Sequence, residues 1–238
     1  FFSKGHFTNP MVLRVPGLAY QKGFGGHFHN DNSLTIFRDI PGIILAVPSN
    51  GADASKMIRT AVREAHENGR IIVFVEPIAL YMTKDLHEPK DGKWTFKYPV
   101  LDEEIPVGKF AEYGKGKVLT LITYGNGLYL SLQAKKEIEK KLKKKIKIID
   151  LRWLSEMNIP KLLNAIGTSN NILIVDECRR TGCHGEGLFA QLVSESKKPL
   201  NIKLHAAEDS FISIGVAATV TLPSKDSIIK NALELVNG

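Results

Sequence analysis

Cysteine is nearly absent. The 238-residue chain holds two, Cys178 and Cys183, five positions apart. That excludes a disulfide-built scaffold and suits a reducing compartment, with the cytoplasm, or the mitochondrial matrix of a eukaryote, as the expected location. No apolar run approaches the roughly 20 residues of a membrane-spanning helix, so no membrane partner is expected. No H-E-x-x-H, no C-x-x-C and no glycine-rich loop ending in Lys-Ser/Thr occurs, which leaves out the common zinc and P-loop chemistries. No Ser-His-Asp arrangement stands out. The first residue is not Met, and Phe1-Phe2-Ser3-Lys4 resembles no signal or transit peptide. The chain is therefore expected to be a piece of a longer protein.

What is present is ordinary for a globular chain: 43% hydrophobic and 24% charged residues, enough for a sizeable core. The net charge of +7 is concentrated in one place, because Ala134 to Lys147 carries eight lysines against Glu137 and Glu139. Leu130, Ala134, Ile138 and Leu142 recur every four residues through it, the stripe of an amphipathic helix with a solvated lysine face. A phosphate-binding strip or an anionic surface contact are the alternatives. No aromatic residue interleaves with the lysines, so nothing supports stacking on nucleic acid, and no nucleic-acid partner is expected.

The pattern along the chain is alternating. Met11–Val15 reads as a buried strand, Pro16–Asn32 as a long Gly/His loop and Leu34–Arg38 as a helical turn. Gly42–Val47 reads as a two-face-buried strand, followed by a helix capped at Asn50 or Asp53 and a strand over Ile71–Val75. This is a βαβ unit. From Thr83 to Pro106 the chain is polar and proline-bearing, a linker outside the core with local extended structure around Trp94-Thr95-Phe96. Then come a strand to Tyr124, a helix opened by Gly125-Asn126-Gly127, strands over Ile146–Leu151, Asn171–Asp176 and Ile202–Ala206, and helices over Pro160–Ile166, Gly185–Ser196 and Ser224–Val236. The fold class is α/β, with parallel-rich sheets and helices on both faces.

Four segments invite chemistry. Gly23-Phe24-Gly25-Gly26 is glycine-rich without the spacing of a phosphate loop. His27-Phe28-His29 with Asp31 fits a general acid/base, a solvated loop or two ligands of an incomplete metal site. Cys178 to His184 follows a strand end, where ligands and interfaces gather in α/β sheets; Arg179 and Arg180 can pair with Asp176 and Glu177 or face a partner. Glu76 closes a strand before Pro77, in a structural or an electrostatic role.

A set of short motifs occurs in a familiar order: Arg14-Val15-Pro16, Gly23-Phe24-Gly25, His29, Ile40-Pro41-Gly42-Ile43, Val47-Pro48-Ser49, Val73-Phe74-Val75-Glu76-Pro77 with Tyr81, Ile105-Pro106-Val107-Gly108-Lys109, Leu121-Ile122-Thr123-Tyr124-Gly125, Ile149-Asp150-Leu151-Arg152-Trp153-Leu154 and Val175-Asp176-Glu177. In this order they resemble the beta-type half of the thiamine-diphosphate-dependent decarboxylating component of 2-oxo acid dehydrogenase complexes, of the pyruvate or branched-chain type, in the transketolase-like superfamily. The resemblance implies the C-terminal part of a pyrimidine-binding domain over residues 1–82, a linker over 83–106 and a transketolase-type C-terminal domain over 107–238. It implies a 2-oxo acid dehydrogenase that decarboxylates its substrate and reductively acylates a lipoyl group. The implied partners are an alpha-type half, separate or fused, a lipoyl acyltransferase core and a second copy of the complete unit. His29, twelve residues before Pro41 as in the family, matches the loop histidine of the lipoyl transfer step.

The departures carry expectations of their own. His29 is followed by Asn30-Asp31-Asn32-Ser33 rather than Ser-Gln-Ser, so its polar neighbours differ. The Glu64–Arg70 segment is longer than usual where some relatives hold potassium. The family's pyrimidine-activating glutamate and its Gly-Asp-Gly…Asn-Asn magnesium motif have no match. Thiamine diphosphate and magnesium are therefore expected to be held mainly by parts absent from this chain, and the chain alone is expected to be inactive. Its first sheet is expected to leave apolar edges open. The rival readings are a transketolase-like or deoxyxylulose-phosphate-synthase-like enzyme, and a non-catalytic module that docks an acidic partner through the lysine helix.

Overall fold

A computed structural model describes residues 3–21 and 25–238. Two sheets form. The first has three parallel strands in the order β1-β3-β2: β1 (Met11–Gly17), β2 (Ile43–Ala46) and β3 (Ile71–Pro77). Helix α2 (Gly51–Asn68) joins β2 to β3 in the expected βαβ unit. Its first turn is closed by Asn50, whose Oδ1 accepts the Asp53 N–H at 2.9 Å, and it stops at Gly69, which holds φ +63°. Met57, Ala61 and Ala65 are spaced to face the sheet, and they pack with Ile44, Ala46, Ile72 and Phe74.

The second sheet runs β4-β6-β5-β7-β8, made of β4 (Ala111–Tyr113), β5 (Thr120–Thr123), β6 (Lys147–Asp150), β7 (Asn171–Arg179) and β8 (Asn201–Ala207). All its pairings are parallel except β4 with β6. Side chains alternate across the pleat. Leu121, Ile148 and Leu173 pack with α3 (Asn126–Leu142) and α6 (Lys225–Asn237). Ile122, Ile149 and Ile174 face the other way, toward α4 (Ile159–Ile166) and α5 (His184–Glu195). That second face does more than hold helices. Leu45, Val47, Val73 and Val75 of the first sheet belong to the same buried cluster, so the two sheets share one core.

Backbone bonds knit the sheets where β2 would otherwise have an open edge. Val47 N–H donates to Arg152 O at 2.7 Å, Leu154 N–H to Leu45 O at 2.8 Å, and Leu45 N–H to Ser155 Oγ at 2.7 Å. The opposite edge strand, β1, pairs among the described residues only with β3 and leaves Met11, Leu13 (43%) and Val15 (37%) exposed: this is the apolar edge expected from the sequence, and it corrects the reading of Met11–Val15 as a buried strand, because one side of β1 has no neighbour.

Three further sequence expectations need correction. The Pro16–Asn32 segment is not all loop: β1 extends through Gly17, and a short helix, α1 (Gly26–His29), forms within it. The Thr83–Pro106 stretch does carry core residues, because Trp94 joins the cluster under α3 and α6 and Ile105 joins that under α2. Around Trp94 the chain turns rather than extends, with Thr95 N–H donating to Gly92 O at 3.1 Å. Part of the local polarity that suggested a solvated linker is structural: the Asp91 carboxylate accepts the backbone N–H groups of Leu86, His87, Glu88 and Lys93 and so ties the turn in place. Strand β4 gave no sequence signal, being three residues long. Among the described residues, no helix is long and apolar enough to cross a membrane.

Candidate functional site

His29 ends α1, and its side chain is exposed. The turn is built on glycine. Gly25 holds φ +77°, and a Cβ there would lie 2.4–2.6 Å from atoms of the His29 side chain, so the imidazole folds back over a position that tolerates no side chain. Gly26, at φ +47°, is buried against Ile212 O and the Ile214 side chain, which seats the turn on the C-terminal part of the chain. His27 turns into a ring cluster instead, with Phe28 at 4.1 Å and Phe211 at 4.7 Å between centroids. The sequence placed both histidines together; the structure separates them into one exposed ring and one packed ring. Gly23 and Phe24 lie outside the described residues.

The chain beyond His29 is pinned to β7. Asn32, almost fully buried, donates its amide to Glu177 O at 2.7 Å. The Arg179 guanidinium reaches Asp31 Oδ1 at 3.2 Å, Asn32 Oδ1 at 3.0 Å and the Ser33 hydroxyl. Of the two readings open for Arg179, pairing with Asp176 and Glu177 is ruled out, because those carboxylates point inward to other partners.

Asp176 accepts the Tyr124 hydroxyl at 2.5 Å, Cys178 N–H at 2.8 Å and Gly185 N–H at 2.7 Å. Glu177 accepts the Asn126 backbone N–H at 3.0 Å and the Asn126 amide at 2.8 Å. Burial pushes the Glu177 carboxyl up to about 8 against those two donors, with the Asp176 charge adding to the rise. Burial likewise lowers His184 to about 4, raises Cys183 to about 12 and raises Cys178 well above the ordinary thiol range. Both cysteines are free and buried, so neither is a reactive nucleophile; they pack the two ends of the Cys178–His184 segment into the core, while Arg180, Thr181 and Gly182 between them are exposed. Among the described residues no three His, Cys, Asp or Glu side chains are placed to hold a metal ion.

A crevice of about 500 Å³ opens at the carboxyl ends of the first sheet, lined by Arg14, Asn50, Glu76, Tyr81, Trp94 and Phe96 among others. Glu76 is locked there by Arg14 Nε and by the Tyr81 hydroxyl, each at 2.5 Å. Burial opposes ionisation of Glu76, but the two hydrogen bonds and the Arg14 charge hold it below the usual carboxylate range. The carboxylate is consumed by its partners, which favours the structural reading of that residue. Between the sheets, Ser49 donates to Asp150 Oδ1 at 2.9 Å, and Arg152 pairs with Asp53 at 2.7 Å. Burial pushes Asp150 up to about 7 despite the nearby Arg152. The first half of the lysine run lies on α3, with Lys135–Glu139 at 2.6 Å and Lys141–Glu137 at 2.9 Å, and the rest follows the helix, where Lys145 reaches back to Glu139 at 3.0 Å.

A parallel five-strand unit with an antiparallel edge follows a βαβ unit and shares a core with it. Residues 108–220 match the family model described as the transketolase C-terminal domain. The likeness extends beyond that domain. The chain is 27% identical to the pyruvate dehydrogenase E1 component subunit beta of Staphylococcus aureus over 98% of its own length and 67% of that protein. It is also 27% identical to the mitochondrial 2-oxoisovalerate dehydrogenase subunit beta of Dictyostelium discoideum, over 76% of this chain and 45% of that protein. A solved structure titled "Split gene transketolase, inactive beta4 tetramer" superposes with a TM-score of 0.70 at 15% identity, covering 95% of this chain and 67% of that one. The resemblance read from the motifs and the α/β fold class are both upheld.

The sequence singled out His29 and its loop, but not what holds them. The Asn126–Glu177 lock had one readable sign: Gly125 at φ +53° leaves no room for a side chain, since a Cβ there would lie 2.8 Å from Glu177 Oε1. The Ser49–Asp150 bond and the grip of Arg179 join residues about a hundred or more positions apart and have no local signal.

Proposed function

We propose that this chain is the beta-type part of a thiamine-diphosphate-dependent 2-oxo acid dehydrogenase, of the pyruvate or branched-chain type, and that it supplies His29 to reductive acylation of a lipoyl group. The observation that carries the reading is the match to dehydrogenase beta subunits over 98% of the chain, together with an exposed imidazole at the matching position. An imidazole ring nitrogen can accept or donate a proton, which is the chemistry that acyl transfer to a lipoyl sulfur needs.

The described residues do not fit a magnesium–diphosphate site. No triple of metal-ligating side chains is assembled, and the Arg179 guanidinium beside the His29 loop is already taken by Asp31, Asn32 and Ser33. Thiamine diphosphate and magnesium are therefore assigned to an alpha-type partner, separate or fused. The complete unit is a two-fold assembly that hands its acyl group to a lipoyl acyltransferase core, in the cytoplasm or the mitochondrial matrix. Within that unit the chain supplies a portion of a pyrimidine-binding domain over 1–82, a connector over 83–106 and the transketolase-type domain over 107–238.

The test is reconstitution with an alpha-type subunit, thiamine diphosphate and magnesium. The expected result is release of carbon dioxide from pyruvate or a branched-chain 2-oxo acid and acylation of a lipoyl domain, with no turnover by this chain alone. An assembled complex that decarboxylates none of these acids, or a lone chain that does, overturns the proposal.

A further inference from the structure

The segment after His29 departs from the family's Ser-Gln-Ser, and the structure shows what the substituted residues meet. Asp31, Asn32 and Ser33 all offer oxygen atoms to a single side chain, the Arg179 guanidinium, at 3.2 Å, 3.0 Å and a short contact respectively. Arg179 closes β7, on the other sheet and about 150 positions away. The middle acceptor is the nearly buried Asn32, whose amide is itself fixed on Glu177 O, two residues before Arg179 on the same strand. The grip therefore has a rigid side, the strand, and a held side, the loop. The guanidinium also lies over the Phe211 ring at 5.7 Å, and that ring touches His27 at 4.7 Å. One arginine thus braces the turn that carries His29 from both directions along the chain.

We propose that Arg179 is the positioning residue for His29. Its planar fork of donors holds three consecutive residues at once, which a lysine ammonium on a flexible stem cannot reproduce. A charged donor serving several acceptors in a partly buried setting restricts the loop far more than a neutral pair does. Fixing a proton-transfer group to within a fraction of an ångström is worth roughly tenfold to a hundredfold in rate. Asp31, Asn32, Ser33 and Arg179 form one hydrogen-bonded set. The proposal rests on the assignment of His29 given above, and its test separates the two.

The experiment compares Arg179→Gln, Arg179→Lys and the double variant Asp31→Ala/Ser33→Ala, which removes acceptors without touching β7. The first readout is amide hydrogen exchange over residues 26–33 in the full chain. Exchange there is expected to speed by about tenfold or more in Arg179→Gln and in the double variant, and by less in Arg179→Lys, with β5 and β7 protected as before. The second readout, in the reconstituted enzyme, is the ratio of lipoyl acylation to carbon dioxide release driven by an artificial electron acceptor. That ratio is expected to fall about tenfold in Arg179→Gln, in the same direction as in His29→Ala. Unchanged exchange over 26–33 overturns the proposal, and so does an unchanged ratio, since a merely structural residue would depress both activities together. If His29→Ala leaves the ratio intact, the assignment of His29 fails instead, while the exchange data still decide whether Arg179 holds the loop.

Discussion

Asn126 meets Glu177 twice, with its backbone N–H on one carboxylate oxygen and its side-chain amide on the other, at 3.0 and 2.8 Å. The pair fastens the start of α3 to β7, and it is fully buried. Two neutral donors do not offset the desolvation of a charge, so the carboxyl is protonated to about pH 8 in the folded chain.

Stability should therefore fall as pH rises. Glu177 moves from an ordinary 4.5 to about 8 and Asp150 from 3.8 to about 7. Between those limits the folded chain binds more protons than the unfolded one, so the contribution is full below about pH 4 and lost as pH climbs through 7 and 8. Thermal melts at pH 5.5 and 8.5 should show a lower Tm at the higher pH by about 5 °C or more. The double variant Glu177→Gln/Asp150→Asn should flatten that slope. A steeper or unchanged slope in the variant would refute the assignment to these two groups.

Glycine at position 25 is tied to His29. In Gly25→Ala the new Cβ collides with the imidazole, and the φ of +77° costs about 1 kcal/mol for any L side chain. The expected outcome is a strong loss of lipoyl acylation with a Tm change of only a few degrees. Equal loss of folding and activity would show the turn to be structural alone.

The shared core sets a second stability test. Leu45 is fully buried between the sheets, and Leu45→Ala should cost about 2–5 kcal/mol. Urea unfolding followed by tryptophan fluorescence and by far-ultraviolet dichroism should shift together. The two tryptophans, Trp94 and Trp153, report from separate clusters, one under α3 and α6 and one under α2. Non-coincident transitions would mean that the two sheets unfold independently.

The thiols give a fast check on burial. Cys178 and Cys183 should resist a thiol reagent at neutral pH in the native chain and react with two equivalents once urea unfolds it. Rapid labelling of the folded protein would contradict the packing of the Cys178–His184 segment.

Regular elements were legible in the sequence because each carries a local signal. The four-residue stripe through α3, the Asn50 cap of α2, and the unbroken apolar runs of β2 and β3 are all confined to short windows. Short β4 had too few residues to show a period. The burial of Trp94 was hidden because a polar stretch reaches the core through one aromatic ring, edge-on to Tyr129 at 5.1 Å. At the candidate site, His29 was visible only through an ordered set of motifs, whereas the grip of Arg179 depends on a strand and a loop meeting in space. Acidic neighbours in sequence suggested the wrong partners for it, since Asp176 and Glu177 turn to Tyr124 and Asn126.

The seam between the sheets bears on how such a chain can be inherited. Leu45, Val47, Val73 and Val75 share their cover between Leu18 and Leu34 of their own unit and a larger set of residues beyond position 120, among them Ile122, Tyr124, Ile149 and Leu151. A gene break placed within the polar stretch at 83–106 would separate surfaces that each need the other, and both products would carry a bare oily stripe. Two pieces cut there are expected to be poorly soluble, although the local sequence looks like a natural joint. The βαβ segment and the sheet it leans on therefore behave as one folding body, held by a common core.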